Sequence, residues 1–226
     1  MKKLNTPIRI FVGLLFIFSG LIKANDPHGL SYKMQEFFEV WGFDFLNPLS
    51  LFSSLVMNVL EVFAGIAIIV NWQTKKITWL LFMLILFFTY LTGYALFSGK
   101  IKTCGCFGDC LPLTPAMSFT KDIVLGILII ILLATNTGKA SKGIFGKIVL
   151  YTVTLGTAAF QWYALTYLPI VDCLPYKKGN DIVEQMKVPS GAVADSTSIE
   201  FIYTKNGKEI RIQIQAKSEE HGGNKR

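Results

Sequence analysis

Five long apolar runs limit what this chain of 226 residues can become. They lie at about residues 8–23, 49–71, 77–98, 115–133 and 147–170. A helix needs roughly 20 apolar residues to cross a bilayer. The predicted fold class is therefore an all-α polytopic membrane helical bundle, with four core transmembrane helices plus a fifth. Hydrophobic residues make up 52% of the chain and charged residues only 16%, which excludes an ordinary soluble domain. The net charge of +7 is spread over short loops, with no basic helix and no basic patch interleaved with aromatics, so nucleic acid is not the implied partner. The inward bias of Lys and Arg in membrane proteins accounts for it. The two histidines, His28 and His221, give no support to a histidine-based metal site.

The charge pattern orients the spans. Lys2, Lys3 and Arg9 precede or open the first run, Lys75 and Lys76 link the second to the third, and Lys139, Lys142 and Lys147 link the fourth to the fifth. The first opposite connection instead holds Asp26, Glu36, Glu39 and Asp44 against Lys33, with Lys23 at its edge. Alternating spans put the basic links in the cytoplasm. The expected localisation is the bacterial inner membrane, with the N-terminus cytoplasmic and the C-terminus periplasmic. The first run also has the basic-then-apolar form of a signal peptide, but Ile22-Lys23-Ala24 is a poor small-x-small cleavage site.

Between the first two spans, Asp26-Pro27 marks a helix start. Leu30, Met34, Phe37, Phe38 and Trp41 then recur at helical spacing, as in an interfacial helix or a segment packed over the bundle mouth. Residues 171–226 read as a periplasmic extension. Within it, Asp181 to Lys187 suggests a helical turn. Ile199, Phe201 and Tyr203, then Ile210, Ile212 and Ile214, alternate with polar residues around Asn206-Gly207, a hairpin signal over 199–214. The last ten residues read as a disordered end.

All four cysteines, Cys104, Cys106, Cys110 and Cys173, fall on the predicted outer, oxidising side. Three of them crowd the island Cys104-Gly105-Cys106-Phe107-Gly108-Asp109-Cys110. Two disulfides bracing loop and tail are one outcome, with three connectivities open. The other is redox exchange. A bridge between Cys104 and Cys106, one glycine apart, would be strained, and strained, exposed bridges are easily reduced. Gly105 and Gly108 allow a tight backbone there. Cys110 would resolve a mixed disulfide and Cys173 carry the exchange onward. Lys102 favours a thiolate and Asp109 opposes it. The one- and three-residue gaps do not match common zinc spacings.

Polar groups also interrupt the spans. Glu61 lies about eleven residues from the outer end of its helix, roughly 16 Å deep at 1.5 Å per residue. A carboxyl there is expensive and faces a partner or a cavity. Tyr90 and Tyr94, one turn apart, are the candidate partners; a helix-locking hydrogen bond and a proton relay are both open. Lys23 and Lys121 near the outer ends either snorkel or, with Asp122, form a charged cluster beneath the cysteine loop.

Phe18-Ser19-Gly20-Leu21-Ile22-Lys23, Leu60-Glu61, the island through Asp109 and Lys121-Asp122 together resemble the DoxX-like integral membrane proteins, specifically the MauE-like branch, over residues 1–180. The resemblance implies a bundle of four core helices and singles out Cys104 and Cys106 as the redox pair. MauE-like proteins are associated with methylamine utilisation and the maturation of a disulfide-rich subunit; other DoxX-like proteins resemble subunits of thiosulfate:quinone oxidoreductases. The expectation is thiol–disulfide exchange, or disulfide-dependent maturation of exported thiol-containing proteins, at the outer face, with a quinone as the candidate cofactor. As an enzyme it would be a membrane thiol–disulfide oxidoreductase. The alternative is a non-catalytic scaffold whose cysteines only staple the fold.

Overall fold

The structure is a computed structural model that describes residues 2–99, 101, 105, 107, 108, 110, 113–135, 143–167, 169–173, 179, 181, 183, 186, 198–205 and 208–215. The chain is an all-α membrane bundle built from α1 (Lys2–Asn25), α2 (Pro27–Val40), α3 (Ser50–Ile69), α4 (Thr74–Ser98), α5 (Pro115–Thr135) and α6 (Ile144–Tyr167). A 3-10 turn, Asp44–Leu49, leads into α3. All but α2 are long and apolar enough to cross a membrane, α3 together with its 3-10 turn. Their outward faces carry large apolar side chains such as Leu14, Phe52, Met83, Ile127 and Leu155, which contact the bilayer.

With lipid as solvent, burial alone does not drive helices together, and close approach of small residues matters more. A Cβ at Gly13 would lie 2.7 Å from the carbonyl oxygen of Gly65, and one at Gly65 would lie 2.7 Å from that of Gly13. A Cβ at Gly20 would meet Val62 Cγ2 at 2.7 Å. These glycines let α1 and α3 touch backbone to backbone. Val12, Phe16, Val62, Leu81, Ile85, Leu125, Ile129 and Leu150 fill the core around that seam.

Hydrogen bonds fix which helix ends share a face. At one end Arg9 donates to the carbonyls of Ile68 and Ile69 at 3.1 and 3.0 Å, and Asn5 donates to that of Thr135 at 3.2 Å. At the other end Asn25 clamps the backbone of Val171: its amide donates to the Val171 carbonyl at 2.7 Å, and the Val171 N–H donates back at 3.1 Å.

Helix α2 is packed on the bundle mouth. The Asp26 carboxylate caps it by accepting from Gly29 N–H at 3.1 Å, with Pro27 in the first turn. Leu30, Met34 and Phe37 are buried, and Ser31 and Gln35 reach Ser50 at 2.9 and 2.8 Å. Trp41 just beyond packs on Phe37, Tyr90 and Tyr94.

By its contacts the chain falls into two units, residues 1–178 and 179–226. The second contains a hairpin of β1 (Ser198–Lys205) and β2 (Lys208–Gln215). Its register sets Ile199 opposite Ile214, Phe201 opposite Ile212 and Tyr203 opposite Ile210. The expected turn over 181–187 falls largely outside the described residues, as does the chain end.

Candidate functional site

The site is assembled at the α2 end of the bundle, from the loop between α4 and α5. Its upstream end is held by Ile101, 1% exposed, in a cluster with Phe37 and Ala95. Gly105 and Gly108 both take left-handed backbone, with φ of 65° and 58°, and Gly108 N–H donates to the Gly105 carbonyl at 3.1 Å. The glycines are therefore required by a turn inside the cysteine island. The turn turns Phe107 inward, where it is 9% exposed and lies 5.8 Å from the ring of Phe18 in α1. The ammonium of Lys121 sits 5.0 Å from the centre of the Phe107 ring. Phe107 thus plugs the island into the bundle, a role the sequence did not single out. A cation–π contact of this kind contributes about 0.5–2 kcal/mol.

Beneath the plug lie two ion pairs, one buried on both sides and one whose lysine is 22% exposed. Lys23 Nζ pairs with Glu61 Oε1, and both side chains are 1% exposed. Lys23 Nζ also lies 4.6 Å from the centre of the Phe88 ring. Lys121 Nζ is 2.7 Å from Asp122 Oδ1, and the Thr92 hydroxyl donates to Asp122 Oδ2 at 3.0 Å. A cavity of about 20 Å³, lined by Ser19, Glu61, Phe88, Phe107 and Lys121 among others, separates the two pairs. Glu61 Oε2 is buried without a hydrogen-bond partner among the described residues.

This corrects one expectation and decides between the two alternatives for Lys23. Glu61 is partnered by Lys23, not by Tyr90 and Tyr94. Helix α4 presents Ile85, Phe88, Thr92 and Ala95 to the interior, which carries Tyr90 outward, 61% exposed, and leaves Tyr94 against Phe37 and Trp41. Nor does Lys23 snorkel: α1 runs on to Asn25, and the lysine is enclosed by Glu61 of α3 and Phe88 of α4.

Above the plug, Cys110 and Cys173 form a disulfide with Cα atoms 4.9 Å apart, within the usual range. It ties the α4–α5 loop to the segment after α6, two residues beyond the Val171 clamped by Asn25. The bridge borders an apolar cleft of about 530 Å³ lined by Phe18, Leu21, Ile22, Phe160 and Ile170, with Asn25 at its edge. Cys104, Cys106 and Asp109 lie outside the described residues. No cluster of three or more metal-ligating side chains occurs among the described residues.

No solved structure matches the chain. Protein TlpB from Flavobacterium psychrophilum is 27% identical over 158 residues. That alignment covers 66% of this chain but only 41% of the relative, so the chain spans less than half of that protein's length. The model for the family described as methylamine utilisation protein MauE matches residues 1–138, more than half of the chain, and the protein belongs to the MauE family.

Proposed function

We propose that the protein carries out thiol–disulfide exchange at the outer face of the bacterial inner membrane, with Cys104 and Cys106 as the exchanging pair. One observation carries this: Cys110 and Cys173 are already joined, so of four cysteines the two left over are those one glycine apart. A bridge between such close neighbours is strained and easily reduced. Two residues of the same loop, Ile101 and Phe107, are anchored in the bundle. The Cys110–Cys173 bridge then braces the loop or relays electrons from it. Clients would be exported proteins with thiols; methylamine itself is not proposed as a substrate.

The apolar cleft beside the bridge fits a lipophilic quinone ring in size and lining, within the range of small-molecule sites. Phe18, Leu21, Ile22 and Phe160 would hold it, and a bound quinone would accept two electrons and two protons. Glu61 and Lys23 lie deeper, beneath the loop, as the groups to support proton movement.

The second reading is a scaffold, favoured by the way the bridge and the Asn25 clamp both fasten the same segment. Titrating the membrane-embedded protein with graded thiol buffers, followed by alkylation, separates the two. Release of Cys104 and Cys106 near the poise of the compartment supports exchange. Release only under strong reductant, with normal partner assembly in a Cys104→Ser/Cys106→Ser variant, supports the scaffold. A Cys106→Ser variant should also trap mixed disulfides with clients.

A further inference from the structure

The Cys110–Cys173 bridge does more than border the apolar cleft: both of its cysteines line it, together with Phe18, Leu21 and Ile22 of α1 and Phe160 of α6. Phe18 and Leu21 are 48% and 39% exposed and lie within a span, so the cleft opens to hydrocarbon. Its occupant must arrive dissolved in lipid. The volume, about 530 Å³, is that of a small-molecule site. Among the lining residues the disulfide is the group that exchanges electrons, two at a time and with two protons. A lipid-soluble partner of the same stoichiometry is a quinone.

The bridge can open without its two halves drifting apart, because each half is held by contacts of its own. On the Cys173 side, Asn25 exchanges two hydrogen bonds with the backbone of Val171. On the Cys110 side, Phe107 packs on Phe18, and Gly108 lies against Ile22, with a Cβ built on it 3.5 Å from Ile22 Cγ2. Asn25, Phe18 and Ile22 all belong to α1, so one helix supports both halves. The two cysteines are not equally open. Cys173 is exposed and Cys110 is half-buried.

We propose that Cys110 and Cys173 are a redox-active pair that passes electrons directly to a quinone in this cleft, a dithiol:quinone oxidoreductase activity. For the source of its electrons, a protein dithiol, the inference rests on the exchange reading above. One thiolate of that dithiol attacks the sulfur of Cys173, the open side of the bridge. The Cys110–Cys173 bond breaks, and its electron pair leaves on Cys110 as a thiolate. The donor's second thiolate attacks its own sulfur in the mixed disulfide and frees Cys173. The donor departs as a disulfide, and the pair, once protonated, is a dithiol. Cys110 and Cys173 then give up two electrons and two protons to the quinone as their S–S bond re-forms, and the product is the quinol.

The test uses the full chain in lipid nanodiscs with Cys104→Ser and Cys106→Ser, so that the bridge is its remaining redox group. The protein is reduced with a phosphine, freed of reductant under nitrogen and given decylubiquinone, whose ring has no free position for thiol addition. Closure of the bridge is read by mass as the loss of two alkylation sites. The rate should saturate with the quinone-to-lipid ratio, with quinol formed in equal amount to the chain. Phe160→Trp, which fills the cleft, should slow closure about ten- to a hundredfold and leave closure by water-soluble diamide unchanged. Leu21→Trp fills the same cleft from α1 and serves if Phe160→Trp does not fold. In the oxidised protein a photoreactive azidoquinone should label peptides bearing residues 18–22 and Phe160, and the cleft-filling variant should lose that label. A bridge that diamide closes and the quinone does not overturns the proposal. So do equal quinone rates in the parent and the filled variants, and so does label confined to other faces, the result for a cleft that holds only lipid. Cys104 and Cys106 are absent from this measurement, so failure of the exchange reading shows only in their own titration.

Discussion

The buried pair of Lys23 and Glu61 gives an asymmetric prediction. Lys23→Met removes the cation bonded to a carboxylate that is 1% exposed. Breaking a buried pair from one side costs about 3–5 kcal/mol, because the remaining charge stays desolvated. Glu61→Gln leaves an ammonium instead, but that ammonium keeps the face of Phe88, 4.6 Å to the ring centre. A desolvated cation–π contact contributes up to about 2 kcal/mol, and the new amide oxygen still accepts from Lys23. Glu61→Gln should therefore cost roughly 1–3 kcal/mol, less than its counterpart, on the same scale. The double variant carries no charge at either position and should be more stable than Lys23→Met alone, with a coupling of about 2–3 kcal/mol. Reversible unfolding in mixed micelles, fitted for all four proteins as a double-mutant cycle, measures each term. Additive costs, or a Glu61→Gln variant less stable than Lys23→Met, would refute the assignment of the pair and of Phe88 as its third member.

Other outcomes follow from the same geometry. Phe107→Ala should lower stability by about 3–4 kcal/mol, as for a buried aromatic, and raise amide exchange across residues 105–110. Gly13→Ala should separate α1 from α3, since its Cβ meets the backbone carbonyl oxygen of Gly65 as well as the Ile69 side chain; loss of thermal stability by about 2 kcal/mol or more, absent in Gly126→Ala where the space is open, checks it. Cys110→Ser should cost up to about 4 kcal/mol by chain entropy, given the separation of 63 residues. Asn25→Ala removes two hydrogen bonds to Val171 and should speed reduction of the Cys110–Cys173 bridge, read by timed alkylation.

The helices were legible because hydrocarbon imposes length and apolarity on each span separately, a local property that a sequence displays. The cap at Asp26-Pro27 and the hairpin register around 206–207 were legible for the same reason. Contacts between spans were not. The pairing of Lys23 with Glu61 depends on how α1 and α3 meet, and that is set by Gly13, Gly20 and Gly65; in sequence small residues such as Gly65 suggest close packing but do not say against which helix. Tyr90 and Tyr94 were plausible partners by depth alone, but depth does not fix the rotation of α4. Phe107 was hidden among many phenylalanines, and only its place between two glycines of left-handed backbone marked it as a plug. The cysteine count left three connectivities, and the structure joins Cys110 to Cys173.

That bridge also bears on how the chain is made. Between Cys110 and Cys173 lie α5 and α6, two crossings, so the sulfurs can meet when both helices have inserted but not when just one of them has. A chain whose last helix stalls, or inserts in reverse, leaves Cys173 across the bilayer from Cys110, where no oxidant can join them. Covalent closure is thus a parity check on translocation.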